Sequence, residues 1–376
     1  MATSEPNPAV LKELTEKLVR RQNLSAEQTE TAVCEILKMD MDEVRKGDGK
    51  MLQLLVQISA FLVALRSKGE TPEEVFGVVE AMRKRALSVS ISEPVLDIVG
   101  TGGDGLHTVN ISTGASILAA ACGIKVAKHG NRSVSSLCGS ADVLEQLGVD
   151  IEMDPSQTKR CLEEVGVCFF FAPKFHAAMK SVKEMRKLLG IPTVFNLIGP
   201  LLNPAGSSHH LVGVYDSEFL DTFAGVLKAA GARRSLIFHG QGGGGGMDEL
   251  SPCGTAEIAE VDGEGGVKRW TLDPQTVGVS RCTVEDLKGG PPDVNADLLQ
   301  AALEGKKGAF ADCLALNAGA ALWVTGGATS LQEGVEKARE ALQAKKGLDV
   351  LRKWREFSKT TVAERKSASV LMQNGH

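Results

Sequence analysis

The stretch VLDIVGTGGDGLHTVNISTG, residues 95–114, sets the architecture that the rest of the chain follows. Its apolar run at 95–99 is typical of a short buried strand, and the glycine-rich segment 100–104 comes directly after it. A small-residue helix is predicted over residues 111–122. A strand, a glycine loop and a helix in this order indicate an α/β domain with a largely parallel sheet.

Short apolar runs and helical patterns alternate through the remainder of the chain. Strands are predicted at 124–127, 168–171, 211–214 and 235–238, and helices at 140–147, 157–165, 218–230 and 294–304 and through most of 311–351. The five-glycine tract within 241–246 is predicted to be a mobile loop, with a plain surface linker as the alternative. Residues 364–376 are predicted to fray.

The first 88 residues have only helical patterns. Pro8 can begin one helix. Ser25 with Gln28, and Thr71 with Glu74, are typical of helix capping boxes. Residues 51–65 form a strongly apolar helix, so we expect this bundle to bury a further face, for which a subunit interface is a candidate.

Composition excludes several classes of protein. Of the 376 residues, 43% are hydrophobic and 24% are charged, which is typical of a folded globular chain. The formal net charge of −5 lacks the basic excess of a duplex-binding protein, and no run of about 18 apolar residues predicts a membrane span. The eight cysteines contain no Cys-x-x-Cys pair, which indicates reduced thiols in a cytosol-like compartment. We expect a soluble, cytoplasmic protein, or one of the plastid stroma if a transit peptide has been removed.

Anion-binding chemistry recurs along the α/β region. The glycine loop 100–104 can bring backbone N–H groups close to an anion, although a tight turn is the alternative. Amide and hydroxyl side chains follow at the helix start 110–113, where a simple cap is the alternative. Residues 128–136 combine two cations, an amide and three hydroxyls, and 139–142 begin another helix. Their repetition favours an anion-binding site over chance capping.

These motifs together resemble the anthranilate phosphoribosyltransferase family. The resemblance rests on segments 97–104, 110–113, 128–136, 139–142, 171–173, 185–191, 196–204 and 247–251, with His176, and covers residues from about 9 to 355. The chain departs from the family pattern at Leu137-Cys138, at Pro192 and in the glycine tract, and none of these removes a matched ligand.

The resemblance implies a reaction and an organisation. The family joins anthranilate to 5-phosphoribosyl 1-diphosphate, giving N-(5-phosphoribosyl)anthranilate and diphosphate in tryptophan biosynthesis. It implies a small N-terminal helical bundle domain at residues 1–88, with an insert at about 178–193 packing on it. A large α/β domain with a mainly parallel central sheet, residues 89–376, would bind the donor. A homodimer through the helical domain is implied, and we expect neither nucleic acid nor membrane as a partner.

The resemblance also assigns residues to roles. The donor is expected to bind Gly100, Gly103, Asp104, Thr108, Asn110, Ser112, Thr113, Lys128, Asn131, Ser135, Ser136 and Ser140. Anthranilate is expected to bind Gly100, His129, Asn131, Arg186 and Gly199. Two Mg²⁺ ions are expected per site, one held by Ser112 and Glu249 and the other by Asp248 and Glu249. No general base is assigned, because the weakly basic aromatic amine attacks in its neutral form.

Alternatives exist for single residues and for the whole chain. Arg186 could be a surface arginine on a basic helix, His129 a packed core histidine, and Asp248 with Glu249 a solvated acidic turn. A nucleoside phosphorylase of the same architecture is the competing enzyme class, and Arg186 and the acidic pair argue against it. A paralogue that binds nucleic acid would show a basic surface and eroded motifs, which this sequence does not.

Overall fold

The computed structural model describes residues 6–133, 136–242 and 245–373, and these form two units. The helices are α1 (Pro8–Val19), α2 (Ala26–Ile36), α3 (Met41–Arg45), α4 (Gly49–Lys68), α5 (Pro72–Arg83), α6 (Ile111–Ala121), α7 (Ser140–Gln146), α8 (Pro155–Val165), α9 (Ala172–Phe175), α10 (Met179–Leu189), α11 (Val194–Leu197), α12 (Phe219–Ala229), α13 (Pro292–Leu303), α14 (Ala309–Val324), α15 (Leu331–Gln343) and α16 (Lys346–Gln373). The strands are β1 (Leu96–Gly100), β2 (Val126–Gly130), β3 (Val167–Phe171), β4 (His209–Gly213), β5 (Arg234–Gly242), β6 (Gly245–Met247), β7 (Ala256–Val261) and β8 (Val267–Leu272).

The first unit is helical and takes in the described parts of Met1–Ser88, Pro173–Leu202 and Asp221–Ala230. Its predicted caps are confirmed, because Asn7 accepts a bond from Ala9 at the start of α1 and both capping boxes are present on α2 and α5. Glu74 is fully buried in this unit, and its carboxylate accepts a hydrogen bond from Leu24 N at 2.9 Å and binds Lys68 Nζ at 2.9 Å.

Helix α4 is apolar on two faces. One face is buried in the first unit through Leu54, Ile58, Phe61, Leu62 and Leu65. Leu52, Val56 and Val63 are exposed instead. Within the described ranges, α4 is the one helix that is long and apolar enough to cross a membrane by length and composition alone.

The second unit, made of the described parts of Val89–Ala172, Asn203–Leu220 and Gly231–His376, carries the sheet. Five parallel strands lie in the order β3-β2-β1-β4-β5. Strands β7 and β8 continue the sheet antiparallel, and β6 pairs antiparallel with β5. The predicted fold class, a helical N-terminal domain and an α/β domain with a mainly parallel sheet, is confirmed.

Several local predictions need correction. Strand β2 is Val126–Gly130 rather than 124–127, so Lys128 and His129 lie within a strand, where both are buried. The sequence hid this because a lysine normally marks the end of a buried strand. The antiparallel pair β7 and β8 was not predicted, because neither strand alternates regularly between apolar and polar residues: β7 has glutamates three residues apart and β8 has Lys268 next to Arg269.

The two ends of the glycine tract also differ from the prediction, because they lie in strands rather than in a loop. Gly242 ends β5, and Gly245 and Gly246 lie in β6, so these residues form a hairpin rather than a mobile loop. Gly243 and Gly244 lie outside the described residues. Helix α16 continues to Gln373, beyond the point at which the chain was expected to fray.

Candidate active site

The carboxyl ends of β1 and β4 form a surface that only glycine can build. Gly100 and Gly213 are register partners at these ends. A Cβ on Gly213 would lie 1.7 Å from the backbone oxygen of Asp248, and one on Gly100 would lie 2.2 Å from Asp248 Oδ2. The segment bearing Asp248 therefore packs directly on the two strand ends. Gly102 N–H then donates to Asp248 Oδ2 at 2.6 Å, with Gly102 in the left-handed region at φ 70°.

A buried charge pair lies behind this surface. Lys128 Nζ donates to Ile98 O at 2.7 Å and to Ser112 Oγ at 3.1 Å. Asp97 is buried too, and its Oδ1 accepts from His129 N at 3.1 Å. Burial raises the pKa of Asp97 to about 6, while hydrogen bonding from Asn203 and the charge of Lys128 oppose that rise. Burial lowers the pKa of Lys128, against the attraction of Asp97 and Glu249.

Asp97 and Asn203 are positioning residues that the site predictions missed. Asn203 Nδ2 donates to Ala127 O at 2.6 Å and His129 N donates to Asp97 Oδ1 at 3.1 Å, so each of the two residues is bonded to β2 next to Lys128. The available signal was an acid inside an otherwise apolar strand, since a buried carboxylate requires partners.

Three carboxylates face one another in front of Lys128. Ser112 N donates to Glu249 Oε1 at 3.3 Å, which holds Glu249 at the start of α6. Burial, together with repulsion from Asp104, raises the pKa of Asp248 to about 7. Burial and the charge of Asp248 raise the pKa of Glu249 well above its usual range. Asp248 is buried, so the alternative of a solvated acidic turn does not apply to it.

These three carboxylates suit a divalent cation whose remaining coordination positions are filled by a bound ligand. One oxygen of Asp104, Oδ2, is buried without a hydrogen-bond partner among the described residues. No group of three His, Cys, Asp or Glu side chains is spaced as a complete metal site in the part of the chain that the structure describes. Mg²⁺ commonly takes one or two protein carboxylates and completes its shell with phosphate oxygens and water. The carboxylates therefore fit Mg²⁺ that a phosphorylated ligand also binds.

The loop after β2 offers polar groups near the start of α7. Asn131 is exposed, and its backbone oxygen accepts from Ser140 Oγ at 3.2 Å. Ser136 is exposed, with its hydroxyl 2.8 Å from that of Ser133. Ser135, also assigned to the donor, lies outside the described residues. Arg132, the second cation of this segment, binds Asp142 at 3.1 Å and also pairs with Glu145.

Other predicted donor residues hold the loops in place. Asn110 Nδ2 donates to Cys138 O at 3.1 Å, and its Oδ1 accepts from Asn295 Nδ2 at 2.9 Å. Thr108 forms an isolated antiparallel bridge with Lys288. Thr113 is buried, and its hydroxyl has no hydrogen-bond partner among the residues described. Gly103 has φ 89° and packs near the Tyr215 ring.

Two predicted anthranilate residues, Arg186 and Gly199, belong to the first unit. Arg186 lies on α10, is half-buried, and burial lowers its pKa. Its guanidinium makes no ion pair with any residue in the described ranges. Gly199 is exposed at the start of the 3-10 turn Gly199–Leu201.

Two domains of this kind, a helical bundle followed by an α/β domain with glycine-rich strand ends, make up one class of glycosyltransferase. The chain matches the glycosyl transferase family, with the helical bundle domain over residues 12–86 and the a/b domain over residues 92–347.

Relatives narrow this class. Anthranilate phosphoribosyltransferase of Chlamydia felis is 48% identical over 314 residues, which cover 83% of this chain and 90% of the relative. That of Methanosarcina acetivorans is 41% identical over 350 residues, covering 93% and 90%. The chain belongs to the anthranilate phosphoribosyltransferase family.

Solved structures agree with this assignment. The enzyme of Thermus thermophilus has a TM-score of 0.82 at 40% identity, over 92% of this chain and 99% of that chain. The Saccharomyces cerevisiae enzyme in complex with PRPP and Mg has a TM-score of 0.84 at 29% identity, over 96% and 100%. The predicted family and the predicted pentosyltransferase class are confirmed.

Proposed function

We propose that this protein transfers the phosphoribosyl group of 5-phosphoribosyl 1-diphosphate to the amine of anthranilate, in tryptophan biosynthesis. The products are N-(5-phosphoribosyl)anthranilate and diphosphate. The observation that carries the proposal is the packing of an acidic segment, Asp248-Glu249, on the glycine strand ends beside buried Lys128. A site of this kind suits a phosphorylated donor that brings a divalent cation.

The donor would be held by backbone groups and by polar side chains at the strand ends. Gly102 and Gly103 adopt left-handed backbone, which glycine reaches without strain, and this turns the loop after β1 toward the strand ends. Lys128 would place positive charge behind the phosphates through Ser112, to which its ammonium donates. The donor set proposed here is Gly100, Gly103, Asp104, Thr108, Asn110, Ser112, Thr113, Lys128, Asn131, Ser135, Ser136 and Ser140.

Ser112, Asp248 and Glu249 would hold Mg²⁺. We propose two ions per site, one between Ser112 and Glu249 and one between Asp248 and Glu249. The yeast relative was solved with Mg, and the buried acids here need a cation to remain ionised near neutral pH. Mg²⁺ held by these residues would supply positive charge for the departing diphosphate.

The acceptor would be fixed by its carboxylate and then attack as a neutral amine. Arg186 offers a planar guanidinium that can bind a carboxylate through two parallel hydrogen bonds. Gly100, His129, Asn131 and Gly199 would line the acceptor. The neutral amine needs no deprotonation before it attacks and loses its proton afterwards. Positioning therefore supplies most of the rate enhancement.

The test is the loss of anthranilate fluorescence in the purified protein. We expect consumption only when both the phosphoribosyl donor and Mg²⁺ are present, and none when a chelator is in excess. A parallel reaction with a nucleoside and inorganic phosphate tests the phosphorylase alternative. Turnover in that reaction, or full activity with donor in excess chelator, would refute the proposal.

We also propose that the protein is a homodimer through the helical domain. Leu52, Val56 and Val63 are spaced four and seven residues apart, so they share one stripe of α4, and all three are exposed. A second copy that covers this stripe would bury it. Sedimentation velocity should give a dimer, and Leu52→Glu with Val56→Glu should give a folded monomer. Val267→Glu, at an exposed apolar residue of β8, is the matched control.

We place the protein in the cytoplasm, or in the plastid stroma if a transit peptide has been removed, as a soluble enzyme. The eight free thiols suit these reducing compartments. Fractionation of the native cells should recover the activity with soluble markers. Recovery in sedimented membranes would contradict this placement, and would turn attention to the apolar stripe of α4.

A further inference from the structure

Two thiols in the second unit lie within van der Waals contact of each other. Cys253 Sγ and Cys282 Sγ are 3.7 Å apart, although 29 residues separate them in sequence. Both side chains are partly exposed, so small oxidants can reach them. Their backbones are also joined, because Cys282 N donates to Pro252 O at 3.4 Å. The two segments thus hold the thiols side by side, although not yet at the distance of a disulfide.

One of these segments carries the proposed metal ligands. Cys253 comes four residues after Glu249, and the intervening Leu250 is fixed from α14, where Asn317 Nδ2 donates to its oxygen at 2.7 Å. Cys313 Sγ donates to the same oxygen at 3.3 Å. A cross-link at Cys253 would therefore pull on a short stretch that is held at Leu250, the residue next to Glu249.

The other segment supports the proposed donor loop. Leu287, five residues after Cys282, accepts a hydrogen bond from Val109 N at 2.9 Å. Thr108 pairs with Lys288 in the adjoining bridge. Both cysteines are packed against the apolar cluster of Val109, Ile111, Leu287 and Cys313. The thiol pair therefore lies between the metal-binding segment and the loop that leads into α6.

We propose that Cys253 and Cys282 form a redox-sensitive dithiol, which peroxides oxidise to a disulfide that weakens donor binding by displacing the Asp248-Glu249 segment. The Sγ–Sγ separation must shorten from 3.7 Å to about 2.05 Å when the bond forms. A part of this movement passed on to Glu249 would be enough, because about 1 Å of misplacement in a catalytic site can cost about 100-fold in rate.

The chemistry balances with hydrogen peroxide as the oxidant. One sulfur attacks a peroxide oxygen, the O–O bond breaks, and a sulfenic acid and water form. The second sulfur attacks the sulfenic sulfur and releases a second water. The two thiols lose two electrons and peroxide gains them. Burial and the neighbouring Cys253 raise the pKa of Cys282 to about 12, so the first attack is slow at neutral pH and speeds up as pH rises.

The first test is chemical and does not depend on turnover. The full-length protein is treated with hydrogen peroxide, digested without reductant and mapped by mass spectrometry. We expect a peptide pair joined through Cys253 and Cys282, lighter by two hydrogens and released by dithiothreitol. A link through Cys313 instead, or no link, overturns the proposal whatever the enzyme does.

The second test is kinetic, and it rests on the proposed function because it measures the donor. Oxidation should raise the donor KM or lower kcat/KM for the donor by about 10- to 100-fold, and dithiothreitol should restore it. Cys253→Ser, Cys282→Ser and Cys282→Ala should each be active and insensitive. Cys122→Ser, which changes another partly exposed thiol, should stay sensitive.

The outcomes separate the two proposals. If the reduced protein has no anthranilate-consuming activity, the proposed function fails, while the peptide map still decides the disulfide. If the disulfide forms and donor kinetics do not change, or if peroxide inhibits Cys253→Ser as strongly as the unchanged protein, the switch is refuted.

Discussion

Replacing Arg186 by alanine gives the sharpest test of what this protein accepts. Arg186 is half-buried, burial lowers its pKa, and no ion pair with a described residue satisfies its charge. A partly desolvated guanidinium without a carboxylate partner costs free energy in the absence of ligand. A bound carboxylate would satisfy it with a charge-assisted bond, which contributes about 1.5–3 kcal/mol. The acceptor KM should therefore rise by about 10- to 150-fold.

The assay is steady-state anthranilate fluorescence, with each substrate varied in turn. The donor KM should change little, because the glycine loop after β1 and the β2 residue Lys128 belong to the second unit and are not altered. Arg186→Lys should restore only part of the loss, since an ammonium cannot make the bidentate contact. Lys187→Ala, at an exposed neighbour, is the control. An unchanged anthranilate KM in a folded Arg186→Ala protein would refute the carboxylate role.

Three further changes probe the site and the fold. Asp248→Asn with Glu249→Gln should raise the donor KM sharply and remove its Mg²⁺ dependence. The Tm should change little, because burial already favours the neutral form of both acids and the amides are neutral. Unaltered donor kinetics would contradict this. Gly100→Ala should weaken donor use because its Cβ would meet Asp248 Oδ2 at 2.2 Å, whereas Gly49→Ala, whose Cβ meets nothing within 4 Å, should not; equal kinetics would contradict it. Burial lowers the pKa of His176 to about 4, so its contribution to stability is complete above pH 6.5 and is lost as pH falls toward 4. Urea unfolding of His176→Gln should remove about 3 kcal/mol of this pH dependence, and an unchanged slope would contradict the assignment.

Local signals in the sequence predicted the elements whose causes are local. The capping boxes at Ser25 and Thr71 depend on side chains three residues apart, so the sequence contains all of their physics. The same holds for the glycine loop after β1. Its position at a parallel strand end also predicts its neighbours, because the carboxyl ends of parallel strands meet at one edge.

Features with distant causes could not be predicted in this way. Lys128 ends an apolar run in the sequence, yet it continues β2, because Asp97 lies within reach across β1. Asp248 packs on Gly213, and nothing near either residue indicates their contact. The proximity of Cys253 and Cys282 belongs to the same group, since two isolated cysteines have no spacing signal until the chain is folded.

In the proposed site, the acidic residues would bind the donor through cations rather than directly. Lys128 interacts with both Asp97 and Glu249, so among the described residues one lysine faces Asp97 and the three acids Asp104, Asp248 and Glu249. A diphosphate brought to these acids alone would meet repulsion, and protonating the acids would leave no charge to hold Mg²⁺. Cations placed between the carboxylates and the phosphates satisfy both at once. Donor affinity should therefore follow the Mg²⁺ concentration, because metal and donor complete each other's coordination on a surface that neither fits alone.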